Sequence, residues 1–348
     1  MSSTNIRTPT SCRRRGRRLA LAVALAVAVT MAAGCGSGTS SSSGATGSGG
    51  SVYVASQRAG EVDRYDARLQ RTATWTIGGD PHILAWDSAH SLLWVSAPKT
   101  GTLRALDPST GQVVATLTIA EPDGMAFVPG TGTLLVTSGI SGPGRLAFVD
   151  TAARTVTAQV PVGSAPHAIA VSADGSRAYV TDQYSNDVAV VDVAARRMVS
   201  SIPLDGTPYF LALRGGSLYV SRTGNGRVSV VDVATSTVTR EFQLPTGISQ
   251  LAVSDDGRKL YVAVRGLAFF SGFPNGNVGA SVSVIDLTTA ASLDITVPTG
   301  PDAVLLDGDT LLTTGLGQGT VSRIDLASGM VSTQPAGTFP TSVAVGGA

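Results

Sequence analysis

Residues 172–192 read SADGSRAYVTDQYSNDVAVVD and contain the clearest fold signal in the chain. Its Asp174-Gly175 pair is typical of a hairpin turn. Two alternating runs rich in β-branched residues follow, at 178–181 and 188–192. Runs of this length and composition predict strands rather than helices. The stretch therefore predicts short antiparallel strands joined by tight turns.

The same pattern recurs along the rest of the chain. An apolar strand that closes on aspartate appears seven times, ending at Asp66, Asp107, Asp150, Asp192, Asp232, Asp286 and Asp325. Successive aspartates are 41, 43, 42, 40, 54 and 39 residues apart. Four short strands in about 40–45 residues is the period of a propeller blade. Seven similar units argue against the alternative, a β-sandwich.

The overall composition excludes several classes of protein. The chain has 348 residues, of which 43% are hydrophobic and 14% charged, so it is not a disordered chain. It has only two cysteines, which can form neither a disulfide scaffold nor a four-thiolate zinc site. It also carries no Gly-x-Ser-x-Gly elbow, P-loop, HExxH or haem-attachment motif. These absences favour a binding protein over an enzyme.

The central repeat resembles a known family. Tyr179-Val180-Thr181-Asp182, with its flanking turn and strand, is similar to the YVTN-type (YncE-like) β-propeller repeat. The resemblance covers residues 51–348 and is weakest at 122–150 and 300–325. It implies an all-β, seven-bladed propeller of four-stranded blades. It implies little about activity, because that family includes binding proteins, surface-layer proteins and cofactor-associated proteins.

The two ends of the repeat region predict how the ring closes. We name the strand that begins near Gly-x-Pro strand A, and the next three strands B, C and D. The repeat region starts with a B strand at 51–56 and ends with an A strand at 339–345. One blade should therefore join B, C and D from the N-terminal end to A from the C-terminal end. This closure leaves no open sheet edge.

The N-terminal residues are predicted to be an export signal. Five arginines between 13 and 18 precede an apolar run at 19–31 that is too short for a permanent membrane span. The Ala32-Ala33-Gly34-Cys35 sequence resembles a bacterial lipobox, which implies that Cys35 becomes the lipidated first residue of the mature protein. The alternative is an ordinary signal peptide with a chance cysteine. The Sec or Tat route stays open.

These boundaries predict a signal peptide at 1–34, a lipidated cysteine with a flexible Gly/Ser linker at 35–50, and a propeller at 51–348. Six of the 25 lysines and arginines lie in the leader, which leaves 19 basic against 24 acidic residues and a net charge of −5. We therefore expect no nucleic-acid binding. We expect a monomer, held on the extracytoplasmic side of the cell membrane by its lipid.

One register position in strand A predicts a candidate site. Reading every repeat at this position gives His82, Asp123, His167, Tyr209, Ser249, Asp302 and Thr341. We expect these residues to form a ring at the mouth of the channel, on the face that carries the D-to-A and B-to-C connections, called here the top face. They could bind a ligand, or work as an acid–base pair. The alternative is that the histidines only cap backbone groups in a wet channel.

Two further groups of residues extend this candidate site. No cofactor is predicted, but His82, His167, Asp123 and Asp302 include the ligand types that divalent metals use. In the B-to-C loops, arginines are candidate contacts for planar anions, with ordinary surface charge as the alternative. These are Arg58, Arg222 and Arg265.

The longest loop also suggests a function. Residues 266–280 lengthen one repeat and contain Phe269, Phe270 and Phe273. Long loops are often functional, and exposed aromatic side chains there suit a lid or a partner contact. Alternatively, the rings pack against the blade.

Three functions therefore remain open. The first is a lipid-anchored propeller that binds a small molecule or protein at the top-face channel mouth. The second is a metal-assisted lyase or hydrolase that uses the His/Asp ring. The third is a cell-surface structural or adhesion protein.

Overall fold

The structure is a computed structural model that describes residues 50–269 and 278–347. These residues form 28 strands and two short 3-10 turns, Pro98–Thr100 and Leu267–Phe269. The strands are, in chain order, β1 (Ser51–Ser56), β2 (Glu61–Tyr65), β3 (Arg71–Thr76), β4 (Leu84–Asp87), β5 (Leu92–Ala97), β6 (Thr102–Leu106), β7 (Val113–Thr118), β8 (Met125–Phe127), β9 (Thr133–Ser138), β10 (Pro143–Asp150), β11 (Thr155–Ser164), β12 (Pro166–Val171), β13 (Arg177–Asp182), β14 (Asp187–Asp192), β15 (Arg197–Pro203), β16 (Pro208–Arg214), β17 (Ser217–Arg222), β18 (Arg227–Asp232), β19 (Thr237–Gln243), β20 (Ile248–Val253), β21 (Lys259–Val264), β22 (Ser281–Asp286), β23 (Ser292–Thr296), β24 (Pro301–Asp307), β25 (Thr310–Gly315), β26 (Thr320–Asp325), β27 (Val331–Pro335) and β28 (Pro340–Gly346).

The strands form seven four-stranded antiparallel sheets, which confirms the predicted seven-bladed propeller. Six blades each use four consecutive strands, from β4–β7 to β24–β27. The remaining blade has the order β28-β1-β2-β3. Val52 pairs with Val345 and Val54 with Val343 in the ladder between β1 and β28. The last strand therefore closes the ring against the first, as the two ends of the repeat region predict.

The core consists of side chains packed between neighbouring blades. At the closing blade, the buried Tyr53 ring stacks between Trp75 and Trp86, with centroids 6.0 Å away on each side. A Cβ atom at Gly346 would lie 2.1 Å from the Trp86 ring, so only glycine lets β28 pass this close. Each blade covers the apolar faces of the next, and no blade has a complete core alone.

A left-handed residue begins strand A in every blade. Its φ lies between 46° and 83° at Asp80, Glu121, Ala165, Thr207, Gly247, Gly300 and Phe339. In six of the seven repeats a proline follows directly and fixes the next φ near −65°. The residue after that is the ring position. This shared turn explains why the seven ring positions fall at the same place in their blades.

Candidate functional site

The ring positions lie at the start of the A strands. His82 and Asp123 stand just before β4 and β8, and the other five are the second residues of their strands. Threonine hydroxyls link neighbouring blades here: Thr341 Oγ1 donates to the carbonyl of His82 at 2.7 Å, and Thr137 Oγ1 to that of His167 at 2.8 Å. The backbone at the mouth of the channel is therefore fixed from blade to blade.

One half of the ring is a carboxylate between two imidazoles. His82 Nδ1 donates to Asp123 Oδ1 at 2.5 Å. The other carboxylate oxygen, Oδ2, lies 3.5 Å from His167 Nε2. Within the described parts of the chain, neither ring nitrogen of His167 has a hydrogen-bond partner, although the side chain is only 4% exposed. Asp123 therefore holds His82 firmly and leaves His167 with unsatisfied polar atoms.

This arrangement gives the two histidines different protonation behaviour. Burial disfavours the His82 imidazolium, but the charge and hydrogen bond of Asp123 outweigh burial and raise the pKa of His82. Burial dominates at His167 and lowers its pKa. Burial also opposes ionisation of Asp123, yet the two imidazoles together lower its pKa. Of the two histidines, His82 thus takes up a proton more readily.

The other half of the ring is built around Asp302. Its Oδ1 accepts hydrogen bonds from Arg265 Nη1 and Ser249 Oγ, each at 2.5 Å. Arg265 also hydrogen-bonds the phenol of Tyr209, and its guanidinium carbon lies 5.4 Å from the Tyr209 ring centroid. Burial raises the pKa of Tyr209 to about 12, so the phenol keeps its proton at neutral pH. Arg265, predicted as an anion contact in a loop, in fact joins the ring.

Tyr209 connects the two halves. Its ring centroid lies 4.0 Å from that of His167, and Phe210 packs edge-on against His167 at 4.7 Å. The His82 and His167 centroids are 6.2 Å apart. The candidate site is thus one continuous cluster around the channel axis.

Residues that directly follow the ring positions line a small space. A cavity of about 20 Å³ lies there, lined by His167, Phe210, Gln250 and Ser342 among others. This volume holds about one water molecule. This cavity is therefore too small for a larger ligand.

The four residues of metal-ligand type in the ring do not converge. Asp302 contacts Arg265 and Ser249, whereas Asp123 faces the two histidines. Over residues 50–269 and 278–347, no group of three or more His, Cys, Asp or Glu side chains could hold a metal ion. These four residues therefore do not fit a single metal ion in this arrangement.

The other two predicted anion contacts lie outside the ring. Arg222 is buried and ion-paired with Asp205 and Glu241. Arg58 is exposed, and its guanidinium carbon lies 4.1 Å from the Phe339 ring centroid. Their role in anion recognition stays a prediction.

The third histidine belongs to a separate cluster. His90 Nδ1 lies 2.9 Å from the buried Asp87 carboxylate, which also accepts from Trp94 Nε1 at 3.3 Å. Thr151 of the next blade lies 3.4 Å from the same histidine nitrogen. This cluster joins two blades at the face opposite the ring.

Sequence reasoning missed Phe210 and Gly124, which shape the site beside His167. A Cβ atom at Gly124 would lie 1.8 Å from the His167 carbonyl oxygen. Gly124 follows Asp123 at a position where every other repeat carries a side chain, and that departure is a signal the sequence offered.

Several predictions fall on residues outside the described ones. Phe270, Phe273, Cys35 and the linker are among them, and Phe269 ends a 3-10 turn. Among the described residues, no helix is long and apolar enough to span a membrane.

Comparison with known proteins agrees with this fold. No protein-family model matches the chain. The chain is 32% identical, over 151 residues, to the seven-bladed beta-propeller protein Rv1057 of Mycobacterium tuberculosis; the match covers 42% of this chain and 36% of that protein.

Solved structures show the same architecture. A functionally unknown protein from Desulfotomaculum acetoxidans is 15% identical, with a TM-score of 0.69 over 85% of this chain and 98% of its own. The periplasmic gluconolactonase of Pseudomonas aeruginosa is 17% identical, with a TM-score of 0.67 over 86% of this chain and 99% of its own. Such low identities show the fold alone. The chain is a seven-bladed β-propeller with four-stranded antiparallel blades.

Proposed function

We propose that this chain is a lipid-anchored, extracytoplasmic propeller of the YVTN type that binds a small polar ligand at its top-face channel mouth. The His82–Asp123–His167 array carries the proposal. Asp123 fixes one nitrogen of His82, and the imidazole is 16% exposed at the mouth. Directly behind it, His167 keeps two unsatisfied nitrogens. Buried polar atoms without partners destabilise a fold, so their presence beside an accessible imidazole supports a binding role.

A ligand screen with His82→Gln tests this function. Wild-type protein is titrated calorimetrically with a panel of small carboxylates, sugars and lactones. We expect at least one compound to bind, and its affinity to fall by about 10-fold or more in the variant, because a charge-assisted hydrogen bond is lost. His90→Gln, at the opposite face, is the control and should bind normally. The proposal fails if no compound's affinity depends on His82.

A second candidate function is acid–base catalysis without a metal ion. An imidazole held at Nδ1 by a buried carboxylate, with Nε2 directed away from it, has the geometry of a general base. The gluconolactonase that shares the fold suggests D-glucono-1,5-lactone as a substrate to include in the screen. Turnover that falls by about 10²–10⁴-fold in His82→Gln would favour the enzyme, whereas binding without turnover would favour the first proposal.

The lipid anchor rests on the leader sequence alone. We expect the wild-type protein to sediment with membranes and Cys35→Ser to be released, because a diacylated cysteine supplies two acyl chains for stable attachment. Cell fractionation measures the membrane attachment, and mass spectrometry of the N-terminal peptide measures the modification of Cys35. An unmodified Cys35 in the mature protein, or cleavage elsewhere, would contradict the anchor. An adhesion role through the Phe269, Phe270 and Phe273 loop stays a prediction.

A further inference from the structure

The hairpin that joins β13 to β14 carries two aspartates at its base. Asp182 and Asp187 are directly opposite each other in the ladder, and side chains at opposite positions lie on the same face of a sheet. Asp182 is fully buried, and Asp187 is partly buried. One oxygen of each carboxyl group, Oδ1, is buried and has no hydrogen-bond partner within the described parts of the chain. Two carboxyl groups therefore lie close together where water has little access.

This pair of acids is peculiar to one blade. In the next blade the same two positions hold Arg222 and Arg227, which form ion pairs with acidic side chains. The pairs in the remaining blades contain at most one acid; they are Ser56 with Glu61, Ala97 with Thr102, Ser138 with Arg145, Val264 with Ser281 and Gly315 with Thr320. Asp182 instead faces a second acid, and the groups that act on its carboxyl include no basic side chain among the described residues.

The neighbouring strands present neutral groups to the two aspartates. From β11, the Gly163 amide donates to Asp182 Oδ2 at 2.9 Å. From β12, Pro166 lies opposite Asp182 in the ladder. From β15, the Ser201 hydroxyl hydrogen-bonds Asp187. Burial is therefore the main influence at both carboxyl groups: it raises the pKa of Asp187, and with the charge of Asp187 it raises the pKa of Asp182 to about 7.

The Asp182 carboxyl lies in the interface between two blades. A Cβ atom at Gly163 would lie 2.6 Å from Asp182 Oδ2, so the carboxyl packs directly on the backbone of β11. Tyr184 N donates to the Ser164 carbonyl at 3.1 Å, and Ser164 N donates to Ser185 Oγ at 2.7 Å. These hydrogen bonds join the hairpin at 182–187 to the last strand of the preceding blade.

We infer that the Asp182 carboxyl is a proton-controlled latch: when protonated it holds the hairpin at 182–187 against β11, and when ionised it weakens that interface. Ionisation releases the proton to solvent and leaves a second negative charge beside Asp187. A buried charge without a counter-ion is unfavourable, and opening of the hairpin would bring the carboxylate into water. This inference is independent of the proposed ligand.

The latch adjoins the ring at the channel mouth. Thr181 directly precedes Asp182, and its Oγ1 donates to the Tyr209 carbonyl at 2.8 Å. The same hydroxyl accepts from the amide of Ala168, which follows His167, at 2.9 Å. It therefore joins two A strands that carry ring positions. Ionisation of Asp182 should loosen this side of the mouth, which makes the candidate site sensitive to pH near neutrality.

Amide hydrogen exchange of the full chain tests the latch. Protection factors, which correct for the intrinsic pH dependence of exchange, are measured at Tyr184 and Ala168 from about pH 5.5 to about pH 8.5. The closed hairpin binds the proton more tightly than the open one, so the closed state loses stability as the pH rises toward about 7. We expect protection at both amides to fall by about 10-fold or more over this range.

Two asparagine variants identify the group responsible. Asp182→Asn cannot ionise, so the change in protection over the same range should shrink to less than about 2-fold. Asp174→Asn, in the turn between β12 and β13 of the same blade, is the matched control. Hydrogen bonds from Ser172 and Ser176 lower the pKa of Asp174 to about 2, so this group is ionised throughout the range. The control should keep the pH dependence of the wild type.

A carboxyl ¹³C titration of the wild type is a second measurement, which does not require any variant to fold. We expect the carboxyl carbon of Asp182 to titrate at about pH 7. The inference is overturned if this carbon titrates below about pH 5, in the ordinary range of aspartate. Protection that does not change with pH in the wild type would overturn it too, as would equal pH dependence in Asp182→Asn and Asp174→Asn.

Discussion

Removal of β28 is expected to unfold the whole ring and not only to loosen one blade. This strand supplies the innermost position of the closing blade and pairs with β1 from Ser51 to Ser56. Val343 and Ala344 are buried in it. It also contacts the next blade, because Leu84 N donates to Ser342 Oγ at 3.1 Å. Deletion exposes the edge of β1 and opens two interfaces between blades.

The expected loss is at least about 5 kcal/mol, comparable to the total stability of a typical domain. Circular dichroism of the protein truncated after Thr338 should show no cooperative thermal transition. Because truncation can also cause aggregation, a point variant is a useful second measurement. Val343→Asp should strongly destabilise the protein, because Val343 is buried. Val331 is 37% exposed, so Val331→Asp should change the stability little. A truncated protein that melts like the wild type would disprove closure by this strand.

Substitution of Asp302 by alanine is expected to produce the largest single-site effect within the ring. The carboxylate is 3% exposed and accepts from both Arg265 and Ser249. Its removal leaves the guanidinium of Arg265 buried without that counter-charge. Breaking a buried ion pair in this way costs about 3–5 kcal/mol. The melting temperature should fall by roughly 6–20 °C.

A double variant that removes both charges identifies the cause of that loss. Arg265→Met with Asp302→Leu removes both charges, so the pair should be less destabilised than Asp302→Ala alone. Asp309→Ala, an exposed aspartate in the same blade, is the matched control and should stay within about 0.5 kcal/mol of the wild type. Urea unfolding gives the free energy of unfolding of the wild type, the Asp302→Ala variant, the double variant and the Asp309→Ala control. An equal decrease in the free energy of unfolding for Asp302→Ala and Asp309→Ala would contradict a stabilising ion pair between Asp302 and Arg265.

The position of the ring could be predicted from the sequence because it depends on local geometry. Each repeat places the same left-handed turn before strand A, and in six of them proline follows. A common turn puts the second residue after the left-handed position at the same level along the channel axis, so His82, Asp123 and His167 could be found by register alone. Their mutual contacts could not, because each partner comes from a different blade.

Arg265 shows this limit most clearly. Its place in a B-to-C connection predicted a cation in a loop, and the structure shows in addition that its long side chain reaches Asp302 of the next blade. The convergence of His82, His167, Asp123 and Asp302 could not be judged from the sequence for the same reason, since register gives the position of each residue along the channel axis but not which neighbour it faces.

The number of blades, their four strands and the closing partner of β1 could be predicted from the sequence, because they follow from a repeat period and from strand alternation. The division of the ring into two charge-compensated halves joined by Tyr209 is visible only in three dimensions. That division depends on side-chain directions across the channel, between residues about 40 or more positions apart in the sequence.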